Sequence, residues 1–274
     1  MEKLSEKICR LKHDFISIYS GNSHTTEILP KKPSLEFQIN ENSLVLLHSF
    51  LENNPIYSTK FESMIKSENF LIFEGDLNNY WIDSIKHDTS YAPFYPTWML
   101  SAFCLAEKIK ELKTEQIFDI GSGDGRIAFC GKIMGLDSIS VEIDENLVNL
   151  QNDLVRDTGI RFHPTCSDAT IFDFDEFEGK KSAFVIGGVP EIGEILAESV
   201  IDNVLKHEYF ENSIFVLTGS HAKQRFSKSI DCFGWGNLVK KFDLDIITTE
   251  NLPTYWTMDQ EFETPYVFLK KDNT

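Results

Sequence analysis

Apolar positions between residues 2 and 20 (Leu4, Ile8, Leu11, Phe15, Ile16 and Tyr19) recur every three or four residues, a spacing that predicts an amphipathic helix. Ser20–Thr26 and Pro30–Pro33 break that pattern as a loop. Leu44–Leu51 carries a second helical pattern. Phe61–Ile72 reads as a third, running into the apolar Phe70–Phe73 before a turn at Glu74–Asn79. Beyond residue 88 the period changes. Apolar clusters short enough for buried strands, at Gln116–Ile120, Ile139–Ile143, Ser182–Ile186 and Ile214–Thr218, alternate with helical stretches at Trp98–Leu112, Arg126–Met134, Glu145–Thr158 and Ile192–His207. Arg161–Thr165 is a weaker strand, and Val239–Thr249 with Thr264–Lys270 reads as a closing antiparallel pair. Strands alternating with helices over short connections predict a doubly wound, mainly parallel α/β sheet. Its binding crevice is expected at the carboxyl ends of the first four strands. Two regions follow: residues 1–88, an N-terminal, mainly helical extension or cap, and residues 89–274, the α/β domain.

One connection carries chemistry. Gln116–Ile120 is followed by Gly121-Ser-Gly-Asp-Gly125 and then by a helix. Glycines tolerate positive φ and let a ligand approach the backbone. A helix starting there presents N–H groups and a positive dipole end to an anion. The spacing is G-x-G-x-G with Arg126 next, so the dinucleotide pattern G-x-G-x-x-G is not matched. The acid ending the next strand, Glu142, falls about 20 residues after the loop, where a ribose-binding carboxylate is expected.

On these residues the chain resembles the class I, seven-strand S-adenosylmethionine-dependent methyltransferases, whose first motif, D-x-G-x-G-x-G, is filled by Asp119, Gly121, Gly123 and Gly125. The segment Tyr95-Pro-Thr97, then a helix, then Asp119-Ile-Gly-Ser-Gly-Asp-Gly-Arg126 is similar to the archaeal protein-lysine methyltransferases of that class. It departs from them at Trp98, where that subgroup has a second proline. This resemblance spans roughly residues 90–220. It implies a seven-stranded Rossmann-like sheet, S-adenosylmethionine as cofactor, and methyl transfer, with a protein lysine as acceptor. A small-molecule methyltransferase and a non-catalytic binding module of the same fold are the alternatives.

The resemblance also implies site residues. Asp119 would order the loop and meet the cofactor's amino group. Gly121, Ser122, Gly123, Asp124 and Gly125 would give backbone room and N–H groups near the methionine carboxylate. Glu142 would take both ribose hydroxyls and Ile143 would pack on the adenine. Asp168 and Ala169 would meet the far edge of the ring, unless Asp168 is only a turn acid. Gly187 would contact the cofactor through its backbone, and Thr97 would hydrogen-bond the methionine end. Tyr91, Phe94 and Tyr95 are either core aromatics or the lining of the channel where methyl group and acceptor meet. Tyr95, Glu191 and His221 are candidate helpers for deprotonating an amine, each with a structural alternative.

Composition narrows the partners. The 274 residues hold 26 Lys and Arg against 43 Asp and Glu, a formal net charge of -17. Such a surface disfavours general attraction to nucleic-acid phosphates. It suits a basic protein partner, though it also serves solubility. The strand ending at Ile186 runs into Gly187-Gly-Val-Pro190, without the Asn/Asp-Pro-Pro-aromatic pattern of enzymes that methylate planar exocyclic amines. That too argues against a nucleic-acid acceptor. The five cysteines are widely spaced with no C-x-x-C pair, so neither a zinc site nor a disulfide framework is expected. No stretch approaches 18 apolar residues, and a soluble cytoplasmic protein is the expectation.

Overall fold

The computed structural model describes residues 2–34, 36–78, 80, 94–220 and 232–272. Helices are α1 (Leu4–Ile16), α2 (Glu41–Asn53), α3 (Met99–Glu111), α4 (Arg126–Ile133), α5 (Glu145–Thr158), α6 (Pro190–Leu205) and α7 (Gly236–Phe242). Strands are β1 (Thr25–Pro30), β2 (Tyr57–Ile65), β3 (Glu68–Gly75), β4 (Gln116–Ile120), β5 (Asp137–Glu142), β6 (His163–Cys166), β7 (Ser182–Ile186), β8 (Ile214–Thr218), β9 (Leu244–Leu252) and β10 (Thr264–Lys271). Seven of them form one sheet in the order β6-β5-β4-β7-β8-β10-β9, and three form a second sheet, β1-β3-β2.

The larger sheet is parallel from β6 to β8. β10 runs antiparallel to β8, and β9 antiparallel to β10. Side chains along its strands alternate between two buried layers. One face sends Ile117, Ala183, Val185 and Val216 into a cluster with α3, α4 and α5. The other sends Phe118, Ile120, Phe184 and Leu217 against α6 and α7. On that second face Phe118 stacks on Phe184, with centroids 4.6 Å apart, and meets Phe174 edge-on. The alternating Asp173–Glu178 segment is explained by this contact. Phe174 is buried against the sheet, and Asp175–Phe177 makes a single 3-10 turn.

The expected helix over Phe61–Ile72 is corrected: these residues form the antiparallel pair β2 and β3, with Lys66 at φ 53 in the connection. Phe61, Met64 and Ile65 mimic helical spacing, but Phe61 and Met64 lie exposed on an edge strand. The run Phe70–Phe73 is apolar because β3 is the middle strand of its sheet and is buried. The N-terminal region is therefore a mixture of helix and sheet rather than mainly helical. Three boundaries also move. The strand expected from Val239 begins only at Leu244, because α7 occupies Gly236–Phe242 and Asp243 turns the chain at φ 53. α6 starts at Pro190, which suits a first helical position that has no N–H to satisfy. The weak strand is His163–Cys166 rather than Arg161–Thr165. The boundary expected at residue 88, and Tyr91, fall outside the described residues.

The N-terminal residues are fastened to the glycine loop by a buried charge network. Arg126, at the start of α4, gives its Nε to Asp124 Oδ1 (2.9 Å) and its Nη2 to Asp124 Oδ2 (2.7 Å). The same guanidinium bonds Glu27 of β1, Tyr57 of β2 and the carbonyl of Thr97. Glu27 Oε2 accepts the N–H of Met99 (2.8 Å), and Asn54 Nδ2 donates to Asp124 Oδ2 (3.0 Å). Burial by itself would lower the pKa of Arg126, but Asp124, Tyr57 and Glu27 more than reverse that, so the guanidinium stays charged. Removing one partner strands the others without water. Arg126→Met is therefore expected to lower the unfolding free energy in urea by about 3–5 kcal/mol, whereas an exposed pair such as Lys60–Glu52 should cost under about 1 kcal/mol when broken.

Candidate functional site

A cavity of about 550 Å³ opens at the carboxyl ends of β4, β5 and β7, with Thr218 of β8 and Tyr266 of β10 also in its wall. Tyr266 pairs with Thr218 across the antiparallel ladder, which brings the start of β10 to the same end of the sheet as the parallel strands' carboxyl termini. From β6 to β10 the cavity spans five strand intervals, roughly 24 Å at the usual inter-strand spacing.

The bend after β4 is built from backbone bonds. Gly121 N donates to Val141 O (2.9 Å) and Gly125 N to Ser122 O (2.9 Å). Gly123 N donates to Glu142 Oε2 (2.8 Å). Gln151 Nε2, fully buried, supports the bend through Ser122 Oγ (2.9 Å) and Gly123 O (2.7 Å). Gly121, Gly123 and Gly125 all have positive φ. Gly123 has a second constraint: a Cβ there would lie 2.1 Å from the Phe94 ring, which rests directly on the bend.

These bonds correct two expectations. The three glycine N–H groups are already used inside the protein, so they supply room rather than donors. The start of α4 is also partly used within the chain. Arg126 N donates to Asp124 Oδ1 (3.3 Å) and Ala128 N to Asp119 Oδ2 (3.1 Å), so the chain's own carboxylates take two of the N–H groups at that end of the helix.

Of the residues expected from sequence, Tyr95, Thr97, Asp119, Gly121, Ser122, Gly123, Asp124, Glu142, Ile143, Asp168, Ala169 and Gly187 line the cavity. Glu142 Oε1 accepts from Ile143 N (2.9 Å) and Asp144 N (3.1 Å), beside the Gly123 bond on Oε2. A carboxylate offers about four acceptor positions, so this arrangement leaves room for about one more donor. Two ribose hydroxyls together would require Gly123 to release its bond. Asp168 Oδ1 accepts from Thr170 N (2.9 Å) and Oγ1 (2.7 Å), so it is a turn acid that also faces the cavity. Gly187 N donates to Ile120 O (2.8 Å), which holds the end of β7 against the end of β4.

Two expected residues are not brought there. Gly125 faces Phe162 and Gln151, where a Cβ would meet the Phe162 ring at 2.9 Å, so its role is packing and turn geometry. Glu191 is exposed in the first turn of α6 and accepts the Ser220 hydroxyl (2.8 Å), away from the cavity wall. His221 lies outside the described residues. Sequence reading missed Tyr266, whose hydroxyl shares a short bond with Thr97 Oγ1. It also missed Trp256 and the α6 residues Ile192, Ile195 and Leu196. Only the adjacent aromatics Tyr255 and Trp256 in the connection between β9 and β10 gave a signal.

The wall is acidic. Asp119, Asp124, Glu142 and Asp168 face it, and the one arginine among its residues, Arg126, is already paired. Burial pushes the Asp119 carboxyl well up; the Ala128 N–H pulls it back in part, and Asp124 and Glu142 each add a smaller upward push. Burial also raises Glu142, although three backbone N–H groups oppose it. A cation bound beside Asp119 would take the place of its proton and restore the carboxylate, and Glu142 is placed for a hydroxyl donor. Among the described residues no group of three or more His, Cys, Asp or Glu is placed to hold a metal ion, and no helix is long and apolar enough to cross a membrane.

No family model and no curated protein matches the sequence. Among solved structures the chain is similar to the glycopeptide N-methyltransferase MtfA complexed with sinefungin, at 11% identity over 63% of this chain and 87% of that one, TM-score 0.48. It is similar to a ribosomal protein L11 methylase from Lactobacillus delbrueckii subsp. bulgaricus, at 12% identity over 64% and 79%, TM-score 0.45. A putative O-methyltransferase from Klebsiella pneumoniae matches at 10% identity over 72% and 91%, TM-score 0.45.

The raised Asp119 has a consequence for stability. Between the ordinary carboxylate range and its raised pKa, the folded chain holds a proton that the unfolded chain has lost, so Asp119 makes stability fall as pH rises through that window. Asp119→Asn keeps an acceptor for the Ala128 N–H and removes the titration. Its urea midpoint is expected to fall less steeply with pH than that of the parent, and to lie above it near neutrality.

Proposed function

We propose that this chain is an S-adenosylmethionine-dependent methyltransferase. The observation that carries the reading is the buried carboxylate of Glu142, set at the end of β5 and 2.8 Å from Gly123 N at the bend after β4. A nucleoside and a cationic amino-acid end fit the same cavity in separate parts. Glu142 would take ribose hydroxyl, with Ile143 and Ala169 against the base and Asp168 at its edge. Asp119 would take the ammonium group, whose charge offsets the burial that raises its pKa. Thr97 and Tyr266 stand on the far side, toward β8 and β10.

Bound there, the cofactor supplies an electrophilic methyl group on a sulfonium, a leaving group that needs no proton. The chain's own task is then alignment and exclusion of water. The acid lining balances positive charge, and the bend, held by Glu142 and Gln151, keeps its shape without a ligand. For the acceptor, an amine such as a protein lysine is favoured by the cavity carboxylates and by the aromatic side chains of Tyr95 and Trp256 at that end, which suit docking of an alkylammonium group; its nitrogen must then give its proton to a cavity carboxylate or to water before its lone pair attacks the methyl group. The formal charge of -17 favours a basic protein as its carrier. The apolar Ile192 and Ile195 at the wall favour the competing reading, a small apolar acceptor.

Calorimetric titration with S-adenosylhomocysteine should give a dissociation constant in the micromolar range. Glu142→Ala and Gly123→Val, the latter forced against Phe94, should each remove detectable heat while leaving a cooperative urea transition. Folded parent protein that gives no heat with either S-adenosylmethionine or S-adenosylhomocysteine would refute the proposal. Methyl label carried from cofactor into cell extract then separates the acceptors: label in the protein fraction supports lysine, and label in the small-molecule fraction supports the competing reading.

A further inference from the structure

The wall of the cavity nearest β10 is aromatic, and it is held by residues far away in sequence. Tyr95 stacks on Tyr255 (centroids 5.6 Å apart, 25° between planes) and meets Trp256 edge-on at 5.9 Å. Tyr255 and Trp256 lie in the connection from β9 to β10. The start of that connection is tied to the segment before α3: Thr97 and Thr254 form a bridge, Tyr255 N donates to Pro96 O (3.0 Å), and Ser101 Oγ donates to Pro253 O (2.8 Å). Its second half is tied to the N-terminal helix. Lys12 of α1 is fully buried, and its Nζ donates to the carbonyls of Thr257 (3.0 Å), Gln260 (3.0 Å) and Phe262 (3.4 Å). Glu263 Oε1 lies 2.6 Å from the same nitrogen. Tyr255 and Trp256 sit between these two anchors.

We propose that Lys12 is the positioning residue of this aromatic wall, an internal cation around which residues 257–263 fold so that Trp256 is presented to the cavity. An ammonium group is chemically apt for the task. It gathers several backbone carbonyls that have no ladder partner in that turn, and Glu263 balances its charge. Lys12 itself touches no residue of the bend after β4 and lines no part of the cavity. It therefore acts on the wall and not on the nucleoside end. The wall's duty of facing a methyl acceptor rests on the methyl-transfer reading; its placement by Lys12 does not.

The test is fluorine NMR of protein labelled with 5-fluorotryptophan, with the Trp256 line assigned by Trp256→Phe. In Lys12→Met the Trp256 line should shift and sharpen toward a solvent-exposed value, while the lines of buried Trp98 and Trp235 stay in place. Affinity for S-adenosylhomocysteine should stay within about twofold, as for a distant independent site. Labelled methyl transfer into extract should fall about tenfold or more through misplacement of the acceptor wall. If Lys12→Met does not fold, the double variant Lys12→Met, Glu263→Met removes the buried charges together, and the same displaced Trp256 line is expected. A folded variant whose Trp256 line is unmoved overturns the proposal. So does one in which all tryptophan lines and the S-adenosylhomocysteine affinity change together, the mark of a merely structural role. If the parent protein transfers no label at all, the methyl-transfer reading fails, while the fluorine spectra still decide the role of Lys12.

Discussion

The architecture turns on the guanidinium of Arg126. Five donors in one plane meet Asp124 in the glycine loop, Glu27 of the small sheet, the Tyr57 hydroxyl and the carbonyl of Thr97. Every one of these groups is buried or nearly so, and an unpaired charge among them would cost several kcal/mol. The result is a single arrangement of four chain segments that are up to 99 residues apart in sequence. Glu27 adds the N–H of Met99, so the segment entering α3 is held at Thr97 and at Met99, on both sides of Trp98. The small sheet is thus part of what shapes the cavity, because it fixes the strip carrying Phe94, Tyr95 and Thr97.

Given that frame, the electrostatics of the cavity follow from which groups have been satisfied and which have not. The amides of Gly121, Ser122, Gly123 and Gly125 are spent on Val141, Ser122 and Glu142, and in the first turn of α4 those of Arg126 and Ala128 are spent on Asp124 and Asp119. What faces the space is mostly apolar, with the carboxyls of Asp119 and Glu142 raised by burial. Such carboxyls suit a cation that takes the place of a proton, or a hydroxyl donor, better than they suit a phosphate. That separates it from the phosphate-binding use of glycine loops, where free amides and the helix dipole meet an anion. The loop pattern alone does not make this distinction; the hydrogen-bond partners of the amides do.

Much of the large sheet was legible in the sequence because β4, β5, β7 and β8 are buried on both faces. Ser182–Ile186, Ile214–Thr218 and Glu145–Thr158 begin and end where their apolar runs or helical period begin and end. The Asp119 to Glu142 constellation was legible for a related reason: a bend between strand and helix needs glycine at positive φ, and few residue types can replace it. The small sheet was not legible. β2 lies on an edge with most of its side chains exposed, so its pattern of Phe61, Met64 and Ile65 carries no burial signal. Nor could Lys12, Glu27 or Tyr266 be read locally. Each owes its role to partners more than 70 residues away, at the ends of ties that only the folded chain makes. The glycine N–H groups were misassigned because sequence shows that an amide exists but not where its hydrogen bond goes.

The most direct measurement is a crystal structure of the chain with S-adenosylhomocysteine bound. Ribose oxygen within hydrogen-bond distance of Glu142, together with the ligand's amino group at Asp119, is the result expected. A ligand seated elsewhere, or one whose ribose avoids Glu142 while its carboxylate lies on the glycine amides, would contradict the account.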